Sequence, residues 1–125
     1  MDIFGTMWEN HFEQIVEDWQ NKVSDDDIVL LAGDLSWAMT FENALIDVNE
    51  IEKLKGKKVI IRGNHDYWWS TKKKADEFFA KHEFTSLNIL FNNAYAVGNI
   101  AVCGTRGWFF DAEKDADKKI VLREA

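Results

Sequence analysis

Two short loops, each set directly after an aliphatic run, most constrain what this chain can fold into. Gly33-Asp34-Leu35-Ser36-Trp37 follows Ile28-Val29-Leu30-Leu31-Ala32, and Gly63-Asn64-His65-Asp66 follows Lys58-Val59-Ile60-Ile61-Arg62. Short apolar runs rich in β-branched residues and closed by turn residues read as buried strands. The loops lie ~30 residues apart, the length of one strand-helix-strand unit, and the stretch between them has helical period. Such a unit lays its strands parallel, so both loops emerge at one edge of the sheet, where open α/β sheets bind ligands. The predicted class is therefore α/β. Asp34, Asn64, His65 and Asp66 are expected to be neighbours, a set of hard oxygen donors with one imidazole.

Other segments surround this unit. Trp8, Phe12, Ile15, Val16 and Trp19 alternate with Glu9, Glu13, Glu17 and Asp18 at helical spacing. They predict an amphipathic helix over residues 7–22 whose apolar face needs a sheet. Ser24-Asp25-Asp26-Asp27 reads as a solvated turn in preference to a metal site. Thr40 caps a helix carrying Phe41, Ala44, Leu45, Val48 and Ile51 on one face, which ends between Lys53 and Gly56. Ser70 or Thr71 opens another with Ala75, Phe78 and Phe79, whose Lys72, Lys73 and Lys74 read as a solvated face ahead of a phosphate-steering one. Strands are predicted at Asn88–Phe91, Tyr95–Val97 and Ile100–Cys103, parted by Asn92-Asn93 and Gly98-Asn99 turns. From Asp111 the chain is highly charged, and Lys118 to Glu124 look like the opening of a helix. No linker or repeat divides residues 1–125, so one domain is expected.

Composition narrows the partners. With 125 residues, 46% of them hydrophobic, the chain has enough apolar material for one modest core. A net charge of −7 argues against passive attraction to nucleic acid or an anionic membrane. A phosphate-bearing substrate then needs a local positive charge, and a bound divalent metal is the natural source. The single cysteine, Cys103, excludes an internal disulfide and a cysteine-cluster site, is expected to pack in a strand, and suits a reduced cytoplasmic setting. The first residues carry neither the basic start nor the apolar stretch of a secretory signal, and no apolar run reaches membrane-spanning length.

The loop residues supply specific chemistry. A carboxylate such as Asp34 can bridge two cations about 3.5–4 Å apart, with Asn64 adding neutral coordination. Metals so held acidify water and clamp phosphoryl oxygens for in-line attack. His65 can hydrogen-bond a phosphate oxygen or protonate a leaving alkoxide, with Asp66 as the carboxylate that sets its tautomer. His11 and His82 lack such surroundings and read as structural.

Gly33-Asp34 followed by Gly63-Asn64-His65-Asp66 resembles the middle motifs of the calcineurin-like metallophosphoesterases. The longer strings Gly33 to Ala38, Ile61 to Trp69 and Cys103 to Trp108 are similar to a bacterial branch of that superfamily, and the resemblance covers essentially the whole chain. It implies an αββα sandwich, with mixed sheets face to face and helices outside. It further implies phosphomono- or diester hydrolysis by metal-activated water, Asp34 as the ligand bridging two metals (Mn²⁺, Fe²⁺ or Zn²⁺), and Asn64 as a ligand of the second. His65 would be the catalytic imidazole and Asp66 its orienting partner. Trp37, Tyr67 and Arg106 are candidates for the substrate side.

The chain also departs from the family pattern, which begins with an Asp-x-His strand and ends with a metal-binding His and a Gly-His-x-His loop. None of these occurs here, so a partial domain is expected. An uncovered strand edge and six tryptophans point to homo-oligomers or completion by another chain. The alternative function is a catalytically silent half-domain acting as a subunit or interaction partner. A generic nucleotide-binding unit is weakened by the lack of a glycine-rich phosphate loop.

Overall fold

The computed structural model describes residues 10–105. Its elements are α1 (His11–Lys22), β1 (Ile28–Leu31), α2 (Phe41–Glu52), β2 (Lys57–Ile60), α3 (Lys72–Lys81), β3 (Leu87–Ile89), β4 (Asn93–Val97) and β5 (Ile100–Gly104). Strands β1, β2 and β3 form a parallel sheet in that order, and β4 and β5 an antiparallel pair, so the class is the mixed α/β one expected.

The register sets Leu31 beside Ile60 and Ile60 beside Ile89, an apolar row across the sheet. Right-handed crossovers put consecutive helices of such a sheet on one face. Ala44 and Val48 of α2 and Ala75, Phe78 and Phe79 of α3 accordingly share one core with Ile60, Leu87, Ile89, Trp68 and Trp69. Both helices start at the threonines that the sequence marks. Thr40 and Thr71 have extended backbones, and their hydroxyls accept the N–H of Asn43 and Lys74 at 3.3 Å. Lys72 and Lys73 pair with Asp76 and Glu77 one turn along, which fits the solvated-face reading.

One charge interrupts the helix-covered face. Lys58 is fully buried, and its ammonium donates to the carbonyls of Glu52 (3.1 Å) and Leu54 and to the Ser86 hydroxyl (2.9 Å). Ser86 in turn donates to Glu52 Oε2 at 2.5 Å, while Glu52 Oε1 accepts the N–H of Thr85 and Ser86. Three donors thus meet three acceptors, and the end of α2 is fastened to the entry of β3. Burial holds the Lys58 ammonium below its ordinary pKa, with the charges of Glu52 and Asp25 working against the shift.

Several expectations need correction. The paired strands end at Leu31, Ile60 and Ile89, so Ala32, Arg62, Leu90 and Phe91 lie beyond them, while Ile61 still donates its N–H to the Leu31 carbonyl at 3.0 Å. Helix α1 starts at His11, after Asn10 in the left-handed region, and none of its residues is buried. Phe12 and Ile15 are 38% and 51% exposed. α1 is held at its last turn, where the Trp19 indole donates to the Lys55 carbonyl and the Lys55 ammonium to the Gln20 carbonyl, both at 2.9 Å. Cys103 lies in β5 opposite Ala94 but is exposed. The segments 7–9 and 118–124 fall outside the described residues.

The antiparallel pair closes through a two-residue turn with Gly98 first, at φ 59°. It is tied to β3 by the Tyr95 hydroxyl, which donates to the Ile89 carbonyl at 2.8 Å. Among the described residues β1 pairs with β2 alone, and its Leu30 is exposed. No helix among them is long and apolar enough to cross a membrane.

Candidate active site

Because β1 and β2 run parallel in register, their exit loops begin side by side and touch backbone to backbone. A Cβ built on Gly33 would lie 2.5 Å from Gly63 Cα, and one on Gly63 would lie 2.8 Å from Asp34 Cγ. Only residues without a side chain allow this approach. Gly33 adopts φ 97° and Asp34 φ 56°, the latter a left-handed conformation that costs a non-glycine residue about 1–2 kcal/mol.

Asp66 holds this conformation in place. Its carboxylate is 1% exposed. Oδ2 accepts the N–H of Asp34 (2.7 Å) and Gly63 (2.9 Å). Oδ1 accepts those of Leu35 (2.9 Å) and Ser36 (3.4 Å) and the indole N–H of Trp68 (3.0 Å). Ser36 extends the frame to α2, donating to Asp47 Oδ2 at 2.5 Å and accepting the N–H of Ala38 at 3.2 Å. The expected pairing of Asp66 with His65 is therefore not what the structure shows. Four backbone N–H groups from the two loops and the Trp68 indole converge on one point, which needs an acceptor, and Asp66 fills that place.

The imidazole is instead held by Asp34. His65 Nδ1 lies 3.0 Å from Asp34 Oδ2, and the His65 backbone N–H donates to Oδ1 at 2.9 Å. The side-chain bond, followed by the backbone bond, keeps the Asp34 carboxyl below its ordinary pKa. Opposite an ionised carboxylate, Nδ1 is the nitrogen that carries the proton, so Nε2 is left to act outward. Trp37 stacks on His65 at 5.0 Å between ring centroids and 24° between planes. Tyr67 meets the same ring edge-on at 6.0 Å and 86°.

Asn64 is exposed and makes no hydrogen bond among the described residues. Asn64 follows Gly63, the residue that meets Asp34, and both side chains carry hard oxygen donors, the type that suits a divalent cation. No group of three or more His, Cys, Asp or Glu among the described residues is placed to hold a metal, so a second cation would have Asp34 as its one described ligand. Arg106 lies outside the described residues.

Sequence reasoning overlooked two contributors. Arg62 donates from Nε to the Asp66 carbonyl at 3.2 Å and lays its guanidinium over Trp69 at 5.7 Å. Its place directly before Gly63 was a usable signal. Asp47 gave none, since its partner Ser36 lies in another element. A hollow lined by Leu45, Ile46, Asn49, Glu50, His82 and Phe84 shares no residue with the site, and His82 stacks on Phe84 as a structural residue.

A family model described as calcineurin-like phosphoesterase matches residues 6–124. The chain belongs to that family. No curated protein and no solved structure matches it. Membership explains why the phosphoesterase motifs Gly33-Asp34 and Gly63-Asn64-His65-Asp66 meet at the carboxyl edge of β1 and β2, and it brings a family-level expectation of divalent metal.

The Asp34 shift predicts an acid-side effect. Its folded-state pKa lies below the ordinary 3.8, so the stabilisation it confers is complete above that value and is lost as pH falls through the lower folded one. Urea denaturation of wild type and Asp34→Asn should show a difference that shrinks as pH falls below about 4. Both partners are more than a third exposed, which limits the pair to less than about 1 kcal/mol.

Proposed function

We propose that this chain hydrolyses a phosphoric mono- or diester, using a divalent cation such as Mn²⁺, Fe²⁺ or Zn²⁺. The observation that carries this reading is the Asp34–His65 contact, made across two loops whose backbones are locked together by the buried Asp66. A bound cation supplies positive charge to the phosphoryl group and acidifies water. Asp34 and Asn64 would hold it; each Asp34 oxygen keeps a second lone pair beside its bond to His65. Asp34 also accepts the Nδ1 proton of His65; with a second proton on Nε2, the imidazolium would donate from Nε2 to a phosphoryl or leaving-group oxygen. Asp66 positions both loops without touching substrate. Trp37 and Tyr67 are assigned to the substrate side with Arg106 as a further candidate, and the setting proposed is a reduced cytoplasm.

The test is Mn²⁺-dependent hydrolysis of an aryl phosphodiester by the purified chain beside Asn64→Ala. Asn64 is exposed and bonded to no described residue, so this variant should fold with stability within about 0.5 kcal/mol of wild type and lose at least about tenfold in turnover. Turnover that is equal in both would remove Asn64 from the site.

A second reading, a catalytically silent domain acting as a subunit or interaction partner, is favoured by the small ligand number among the described residues and the exposed Leu30 on β1. Absence of metal-dependent turnover from a folded sample would bring that reading forward.

A further inference from the structure

Resting on the phosphoester reading, we propose that Trp37 and Tyr67 form a stacking subsite for a planar aromatic group on the substrate, and that this group is a nucleobase. The substrate is then a mononucleotide, a phosphoric ester of a nucleoside, in preference to a sugar phosphate or a nucleic-acid polymer.

The chain treats its aromatic residues unequally. Trp68 and Trp69 are 3% and 2% exposed, whereas the adjacent Tyr67 is 48% exposed and Trp37 is 60% exposed. The two exposed rings bracket the one imidazole that is paired with Asp34. One face of the Trp37 indole rests on His65, and His65 is its only ring neighbour among the described residues. Large exposed apolar surface gathered around a polar centre marks a ligand site.

The backbone that carries the two rings is also held before any ligand arrives. Trp37 is carried between Ser36, which is bonded to Asp47, and Ala38, whose N–H is held by Ser36. On the other loop the Tyr67 N–H donates to the His65 carbonyl at 2.9 Å. Little ordering is needed to present two aromatic faces, so stacking is expressed as affinity. Every nucleobase has a π-face that such a platform can take. A polymer is disfavoured by the net charge of −7, which repels a long run of phosphates. A single phosphoryl group beside a base meets far less repulsion.

Titration calorimetry in the presence of Mn²⁺ compares adenosine 5′-monophosphate with ribose 5-phosphate, which has the same phosphate and sugar but no base. The nucleotide should bind wild type about tenfold tighter or more, the scale of one stacked base. In Trp37→Leu the ratio should fall to within about threefold, and Trp37→Phe should restore most of it. Tyr67→Leu carries the same comparison should Trp37→Leu fail to fold. Equal affinities in wild type, or a preference that survives both leucine variants, would overturn the stacking subsite while leaving the phosphoester reading intact. Binding of neither compound would overturn both.

Discussion

Asp66→Asn is expected to destabilise the protein by about 4 kcal/mol and to abolish any hydrolysis, although it changes neither the volume nor the shape of the side chain. Five N–H groups converge on this carboxylate, two on Oδ2 and three on Oδ1. An amide offers one oxygen. Turned one way, its NH₂ faces Asp34 and Gly63; turned the other way, it faces Leu35, Ser36 and Trp68. At least two buried donors then meet a donor, each at a cost of about 1–3 kcal/mol. The left-handed backbone of Asp34 loses its support at the same time. Urea denaturation gives the stability loss, and the phosphodiester assay gives the loss of turnover. A variant that folds as well as wild type yet is inactive would show instead that Asp66 acts on the chemistry itself.

The sequence exposed the site's members but not their assignments. Periodicity and turn residues located α2, α3 and the strands to within a residue or two, since short aliphatic runs closed by glycine have few other uses. The strand-helix-strand spacing brought Asp34 and His65 to one edge, and they are found in contact. Sequence proximity then misled. Asp66 adjoins His65 in the chain, which marks it as the orienting carboxylate, while the residue that reaches Nδ1 is 31 positions away. A turn places consecutive side chains on different sides, and here it sends His65 outward and Asp66 into the loop's centre, where it is 1% exposed. The apolar stripe of α1 is legible as a pattern, but a pattern does not name its partner, and none of its residues is buried. Lys58 looks like an ordinary strand residue in the sequence because its acceptors come from three separate places, the last turn of α2, Leu54 and Ser86.

Glycine replacement separates the two reasons for which the loops need that residue, and Gly33→Ala should be the most damaging member of the series. Gly98 lies at φ 59° with nothing within 4 Å of a built Cβ, so Gly98→Ala pays for backbone conformation alone, about 1 kcal/mol. Gly63 has no positive φ, but its added Cβ would meet Asp34 at its amide nitrogen and carboxylate. Gly63→Ala therefore reports crowding alone, about 2–3 kcal/mol. Gly33 combines φ 97° with a Cβ that would press on the nitrogen and Cα of Gly63. Neither can yield, since both are backbone and the Gly63 N–H is bound to Asp66. Relief requires the loops to part, which draws Asp34 away from His65 and removes the donors from Asp66. The expected loss is about 4 kcal/mol, with hydrolysis falling along with it. Chemical denaturation of the three variants in parallel tests the order. A Gly33→Ala loss no larger than that of Gly98→Ala would mean that the loops do not touch in solution, and that the close approach of Gly33 and Gly63 is not what assembles Asp34 with His65.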